Sequence, residues 1–356
     1  MAGNHRGALV CAHDAPALAV GAIARRERAE REATEDAELA PGATRANGAG
    51  RRARAEEPDA LRTCFERDRD RIVHSKAFRR LAGKTQVFVF PADHQRTRLT
   101  HAIEVAQVAT AVARATRLNV TLTDAIALGH DCGHGPGGHA SEPVFDARLA
   151  GGFHHAPWGA DVVLAPLNLC AETLDGIRSH SWSRPAPLTP EGAVVSWADR
   201  IAYCAHDLED AVRAGIVDDC ELPKEVTALA GSTRSSQLEY FIGALVEAIA
   251  ASGTVAMAAE PAAVLAGLRA FNYERIYLRP EALAQGKAVA DVLSALVEHL
   301  ARHPELAQDP LGELDPLEAA VRYVSGMTDR YAFESAVRLL DWPAERLPKG
   351  IDFPAR

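Results

Sequence analysis

The dipeptide His130-Asp131 closes the apolar run Ala125-Ile126-Ala127-Leu128, and His101 upstream with Asp199 downstream completes a set of two imidazoles and two carboxylates. Neutral imidazole nitrogens and carboxylate oxygens together suit a borderline-hard divalent ion such as Mn²⁺, Fe²⁺, Co²⁺ or Zn²⁺, while Mg²⁺ is less at home beside two histidines. An ion held by only four protein groups keeps positions open for water and substrate oxygens, so it polarises a phosphoryl group and supplies hydroxide near neutral pH. The set therefore reads as a hydrolytic metal centre rather than a structural one. Each member alone is weak: a single histidine on an apolar stripe is more often core than ligand, and only the companions raise its meaning.

The elements that must carry these residues are helical. From Thr97 to Arg117 the stripe His101, Val105, Val108 and Val112 follows helical spacing. Thr123 or Asp124 is expected to cap a third helix carrying Ala125 to His130, and the glycines from Gly133 to Gly138 make the segment ending at His139 a turn-rich loop. Glu142 follows His139 by one helical turn, within carboxylate-to-imidazole reach. Thr189-Pro190-Glu191 reads as a helix start, with Val194, Ala198, Ile201, Ala205, Leu208 and Val212 as its core stripe. Asp199, Tyr203 and His206 share the neighbouring stripe with Asp207 beside them, and an inward aspartate is costly unless paired or bound to metal. Between Arg62 and Leu81 cations crowd around Phe65, Ile72, Phe78 and Leu81, which reads either as a solvated charged helix face or as a phosphate-gripping one.

Composition agrees. The 356 residues are 47% hydrophobic and only 6% aromatic, and alanine and leucine outweigh β-branched runs, so a mostly helical protein is expected. Six scattered cysteines without a Cys-x-x-Cys pair read as reduced thiols. No secretory or membrane-spanning stretch is evident, which favours a cytoplasmic protein, and the net charge of −9 argues against a general nucleic-acid coat. Three regions are expected: residues 1–60, charged and partly mobile or folded against a neighbouring subunit, with a helix near Ile23 to Leu39; a core over 61–220; and a helical region over 221–356 that completes the pocket and makes subunit contacts.

The order His101, His130-Asp131, Asp199 resembles the HD-domain superfamily of metal-dependent phosphohydrolases. Seven segments, three of them containing these residues, sharpen the likeness: Arg69-Asp-Arg-Ile-Val-His74, Phe78-Arg-Arg-Leu81, Lys84-Thr-Gln-Val87, Arg96-Thr-Arg-Leu-Thr-His101, Ala125-Ile-Ala-Leu-Gly-His-Asp131, Ala198-Asp-Arg-Ile-Ala-Tyr203 and Gly326-Met-Thr-Asp-Arg-Tyr331. In this order they resemble the deoxyguanosine triphosphate triphosphohydrolase-like proteins. The resemblance implies an all-α HD fold with the metal between core helices, Mn²⁺ ahead of Mg²⁺, Co²⁺, Fe²⁺ or Zn²⁺ as cofactor, and cleavage of a deoxynucleoside triphosphate at the α-phosphorus to deoxynucleoside and tripolyphosphate. It further implies a homo-oligomer with a dNTP or single-stranded DNA effector.

By the same resemblance His139 is the acid that protonates the leaving 5′ oxygen, oriented by Glu142, and His134 contacts phosphate. Arg98 lies against the nucleotide, Arg200 on the phosphates, and Tyr203 with Asp207 reads the deoxyribose, although plain core packing suits Tyr203 nearly as well. His155 matches a family histidine, and Arg275 in Asn272-Tyr-Glu-Arg-Ile-Tyr277 is a candidate phosphate contact. Two departures stand out. The family's Gly-His-Thr-Pro-Phe-Gly-His is here Gly133-His134-Gly135-Pro136-Gly137-Gly138-His139, and its Phe-x-His-Asn-x-Gln-Ser is Phe153-His154-His155-Ala156-Pro157-Trp158-Gly159. Replacing two amides by a methyl and an indole is expected to change how the pocket reads its ligand. Two alternatives stay open: another phosphorylated nucleotide as substrate (a monophosphate, modified or cyclic nucleotide), or a nucleic-acid-binding regulatory protein gripping a backbone with Arg62 to Arg80.

Overall fold

The computed structural model describes residues 4–6, 9–13, 20–91, 93–306 and 314–350. Apart from two three-residue strands that pair near the N-terminus (Asn4–Arg6 with Leu9–Cys11), the described chain is helical. The helices are α1 (Arg28–Glu38), α2 (Cys64–His74), α3 (Lys76–Arg80), α4 (Arg98–Ala115), α5 (Val120–Gly129), α6 (Glu142–Asp146), α7 (His155–Trp158) and α8 (Ala171–Ser179). They continue with α9 (Pro190–Arg213), α10 (Lys224–Leu229), α11 (Arg234–Ser252), α12 (Ala259–Asn272), α13 (Pro280–Arg302), α14 (Pro316–Ser325) and α15 (Asp329–Leu340). Among the described residues no helix is long and apolar enough to cross a membrane.

Local chemistry sets the helix starts that matter for the site. The α9 start is as expected: the Thr189 hydroxyl accepts from the Gly192 N–H, and Pro190 occupies the first turn where its missing N–H costs nothing. The α5 start differs. Asn119, not Thr123 or Asp124, is the cap, its side-chain oxygen accepting from the Leu122 N–H at 3.0 Å. The helix therefore begins one turn earlier and runs straight into His130. At α2, Thr63 and Glu66 cap reciprocally, and the Arg62–Leu81 stretch breaks at Ser75 into α2 and α3, burying Phe65, Ile72, Phe78 and Leu81.

Two cores hold the molecule. The larger one packs α2, α4, α5, α8, α9 and α11 around Phe65, Ile72, Ile126, Ile201 and Phe241. The smaller one joins Phe145 and Phe153 to Val289–Leu300 on α13, Val321 on α14 and Phe333 on α15. At about 25 cal/mol per Å² of buried apolar surface, these two clusters are the main favourable term in the fold.

Within the N-terminal region, residues 40–54 pack along the surface of the larger core, with Ala43 buried in it. The Thr44 hydroxyl and N–H donate to the buried Glu191 carboxylate at 2.6 and 3.0 Å, and Arg52 pairs with Asp68 at 2.6 Å with both side chains almost fully enclosed. The helix in the segment spans Arg28–Glu38, shorter than the sequence suggests; residues 1–3, 7–8 and 14–19 lie outside the described residues.

Candidate metal centre and active site

Because α4, α5 and α9 pack on one another, the residues separated by about a hundred positions converge at their crossing. His101 Nε2 lies 3.0 Å from Asp199 Oδ1 and 4.0 Å from Asp131 Oδ2, and His130 Nε2 lies 3.4 Å from Asp131 Oδ1 and 3.7 Å from Asp199 Oδ1. The Nδ1 of His130 donates to the Ala127 carbonyl at 2.6 Å, which leaves Nε2 as a lone pair, fully buried and making no hydrogen bond. A buried polar atom without a partner is costly, roughly 1–3 kcal/mol, and this one points into a ring of carboxylates. The residues present therefore fit a divalent cation: the free His130 Nε2 and the His101 Nε2, hydrogen-bonded to Asp199, each lie within 4.0 Å of both the Asp131 and the Asp199 carboxylates.

The electrostatics agree. Burial opposes charge on Asp131, yet the imidazoles of His130 and His134 and the Arg98 guanidinium hold its carboxyl well below the usual range. Asp199 is likewise pushed down, burial being outweighed by His101 and His130. His101 is raised because Asp199, Asp131 and Asp207 outweigh its own burial. Arg98, itself buried, donates from Nη1 to Asp131 Oδ2 at 2.6 Å.

The glycine loop hangs a second group of histidines beside this set. At Gly133 a Cβ would come within 2.0 Å of the His155 carbonyl oxygen, and at Gly138, where φ is +61°, within 2.7 Å of Arg98 Nη2, so neither position admits a side chain. The loop is tethered from α15: Asp329 accepts from the Gly137 N–H at 2.8 Å and from the Thr85 N–H and hydroxyl at 3.0 and 2.5 Å. Lys84, enclosed beside it, donates to the His134 and Ser325 carbonyls, and burial lowers its pKa to about 8. Glu142 Oε1 then accepts from His139 Nδ1 at 2.6 Å and from His155 Nδ1 at 2.9 Å, while His134 Nε2 sits 3.2 Å from Asp131 Oδ1. His139 is the exposed member of the group, with 72% of its side chain accessible, and it lines the cavity.

All of this opens into a cavity of about 840 Å³. Its far wall comes from α9, α12 and the turn Tyr273–Tyr277. Tyr203 accepts from Arg269 Nε at 2.9 Å; Tyr277 donates to Asp207 Oδ2 at 2.5 Å; and Asp207 Oδ1, buried, makes no hydrogen bond. Burial raises Asp207 to about 7, because its nearest partner is a neutral phenol instead of a cation. At the mouth the Arg200 guanidinium stacks 3.4 Å over the Trp182 ring.

Several sequence expectations land elsewhere. Arg275 does not line the cavity; it is exposed and paired with Glu221. His206 turns away from Tyr203 toward Glu104 at 3.1 Å, since α9 rotates it off the cavity stripe. Trp158 donates to the Ser325 hydroxyl at 3.2 Å and its ring lies against Phe153 in the smaller core, and Ala156 is fully enclosed, so neither the methyl nor the indole faces the ligand space. Arg269, Tyr277, Trp182 and His180, which line the cavity, were not singled out by spacing. The phrase Gly176-Ile-Arg-Ser-His180 offered only a histidine at a helix end as signal.

Comparison with known proteins bears on the same residues. The HD domain family model matches residues 98–204 and the phosphohydrolase-associated domain matches 255–338. The chain is similar to the deoxyguanosinetriphosphate triphosphohydrolase-like proteins of Caldanaerobacter subterraneus (42% identical over 316 residues, 85% of this chain and 93% of that one) and Clostridium perfringens (39% over 299 residues, 79% and 87%). A third, from Deinococcus radiodurans, is 37% identical over 369 residues, 88% and 99% of the two chains. The fold is shared with a phosphohydrolase from Bacteroides thetaiotaomicron at a TM-score of 0.51 and 17% identity, over 77% of this chain and 68% of that one. On its sequence, its helical fold and the arrangement of His101, His130, Asp131 and Asp199, the chain belongs to the deoxyguanosinetriphosphate triphosphohydrolase-like family of HD-domain phosphohydrolases.

Proposed function

We propose that this phosphohydrolase cleaves deoxynucleoside triphosphates, dGTP or a broader set, to deoxynucleoside and tripolyphosphate. One observation carries the reading: three of the metal donors (His101, Asp131 and Asp199), His139 and the Tyr203–Asp207–Tyr277 group line a single cavity. Its volume of about 840 Å³ suits a nucleotide, being within the range of roughly 300–1,000 Å³ usual for small-molecule sites. The relatives' printed names point the same way.

His101, His130, Asp131 and Asp199 would hold the ion, Mn²⁺ by preference, which when bound supplies Lewis acidity at the α-phosphoryl group and lowers the pKa of the attacking water. Arg98 and His134 border the phosphates and offset charge that builds on their oxygens. His139, fixed through Nδ1 by Glu142, keeps Nε2 free to give its proton to the departing 5′ oxygen. Glu142 stays ionised, since burial is outweighed by His139, His155 and His134. On the far wall Asp207 Oδ1 accepts from the sugar 3′-hydroxyl, and Tyr203 packs where a 2′-hydroxyl would need room. With Ala156 and Trp158 outside the cavity, the residue swaps that favoured a different nucleotide lose their force.

The test is incubation with Mn²⁺ and each deoxynucleoside triphosphate, resolving tripolyphosphate, pyrophosphate and phosphate by ion chromatography. Tripolyphosphate with deoxynucleoside is expected; pyrophosphate or phosphate as the initial product would overturn the reading. A homo-oligomeric cytoplasmic enzyme with a dNTP or single-stranded DNA effector is part of the same proposal, checked by repeating the assay with a second nucleotide or oligonucleotide at measured oligomeric state.

A further inference from the structure

Three arginines line the cavity, and two of them are occupied. Arg98 donates to the Asp131 carboxylate at 2.6 Å and Arg269 to the Tyr203 hydroxyl at 2.9 Å. Arg200 differs. Among the described residues it makes no ion pair and no side-chain hydrogen bond, and its buried Nε has no partner. Its guanidinium carbon instead lies 3.4 Å from the centre of the Trp182 ring, a separation that only stacking on the ring face allows.

The kind of neighbour matters because a guanidinium donates in its own plane. A carboxylate in that place would consume donors. An aromatic ring on the face consumes none, yet it still confines the side chain. The indole is itself held by the helix that carries Arg200: Trp182 Nε1 donates to the Ser196 carbonyl at 3.1 Å, one turn before Arg200, and the Trp197 ring meets it edge-on at 4.7 Å. Stacking that merely covered exposed surface would leave a partly enclosed cation without a counter-ion for no return. Trp182 and Arg200 both line the cavity, so the anion that fits there is one the cavity admits.

That Arg200 meets phosphate is implied by the family resemblance; what keeps it available is Trp182. We propose that Trp182 is a positioning residue for the polyphosphate tail, holding Arg200 with its donors free for the phosphates beyond the one at the metal donors. The site thereby favours a triphosphate over a monophosphate. This rests on the functional reading in taking the ligand to be a triphosphate.

The experiment is equilibrium dialysis of the full-length protein, in excess Mn²⁺, against inorganic tripolyphosphate and separately against deoxyguanosine. Arg200→Ala should weaken tripolyphosphate binding about a hundredfold. Trp182→Ala should weaken it about tenfold and leave deoxyguanosine binding unchanged, while Trp182→Phe, which keeps an aromatic face, should recover affinity to within about threefold of the natural chain. Adding Trp182→Ala to Arg200→Ala should cost nothing more, because the ring acts through the guanidinium. Natural affinity in Trp182→Ala, an equal loss of deoxyguanosine binding, a full further loss in the double variant, or no tripolyphosphate binding by the natural chain would each overturn the proposal. Trp182 is 47% exposed, so its removal is not expected to unfold the chain; if Trp182→Ala melts far below it, Trp182→Leu, which keeps apolar bulk without the ring, takes its place in the same comparison. No turnover enters these titrations. A chain that binds tripolyphosphate through Trp182 yet releases pyrophosphate or phosphate from deoxynucleoside triphosphates overturns the functional reading alone.

Discussion

The two walls of the cavity treat the same side chain in opposite ways. On the histidine wall, Asp131 and Asp199 are enclosed yet held strongly ionised, because imidazoles surround both and a guanidinium lies against Asp131. On the opposite wall, Asp207 is just as enclosed, and burial raises it to about 7 because the neutral Tyr277 phenol offsets only part of that cost. Burial is common to both; the neighbours decide the sign. One wall is thereby suited to binding cations and the other to exchanging hydrogen bonds with neutral hydroxyls.

The largest break in this contrast comes from the ionised wall. Asp199→Ala should abolish bound Mn²⁺ and lower kcat/KM by at least about a thousandfold, several kcal/mol of transition-state stabilisation; activity persisting in the metal-free variant would refute the role. His139→Asn should cost about 10²–10⁴ in kcat while metal content and KM change little, since it touches the proton and not the ion. A parallel loss of metal would instead place His139 among the ligands.

The neutral wall is probed by Asp207→Asn. Asparagine has one accepting oxygen where the carboxylate has two, so the Tyr277 hydroxyl and the substrate hydroxyl compete for it, which should raise KM by roughly tenfold with a smaller change in kcat. Stability should move the other way. A carboxyl raised above its unfolded value contributes fully below about pH 4 and loses that contribution as pH rises toward 7. Metal-free Asp207→Asn should therefore melt above the natural chain at pH 8, by on the order of 2 kcal/mol, and the difference should vanish near pH 4, read by thermal melts at both values. The smallest effect is expected from Arg275→Ala, whose side chain is exposed and paired with Glu221: kcat/KM within about twofold of the natural chain.

Much of the histidine wall could be read in the sequence because its members sit in local patterns. His130-Asp131 is one dipeptide, His139 and Glu142 are one helical turn apart, and Asp199 lies on a capped amphipathic helix. The opposite wall was only half legible. Tyr203 and Asp207 share a stripe of α9, but Tyr277 and Arg269 join them from a chain segment more than sixty residues away. Arg275 looked equivalent to its neighbours in Asn272–Tyr277, and the π-type turn at Tyr273–Tyr277 is what aims Tyr277 inward and leaves Arg275 outside. The same holds for Trp158, whose aromatic bulk found the smaller core instead of the ligand.

By itself the amino-acid sequence determined the helical class and the glycine loop, because each depends on residue type and spacing within one or two turns of chain, and it offered the four candidate metal donors through their types and their order along the chain. Only the tertiary structure decided that Thr44 and Arg52 pair with Glu191 and Asp68, that His180 meets His155, and that Ala156 and Trp158 leave the cavity. Those outcomes depend on which way a helix is rotated when it packs, and that rotation is set by the summed burial of many side chains, which no local pattern encodes.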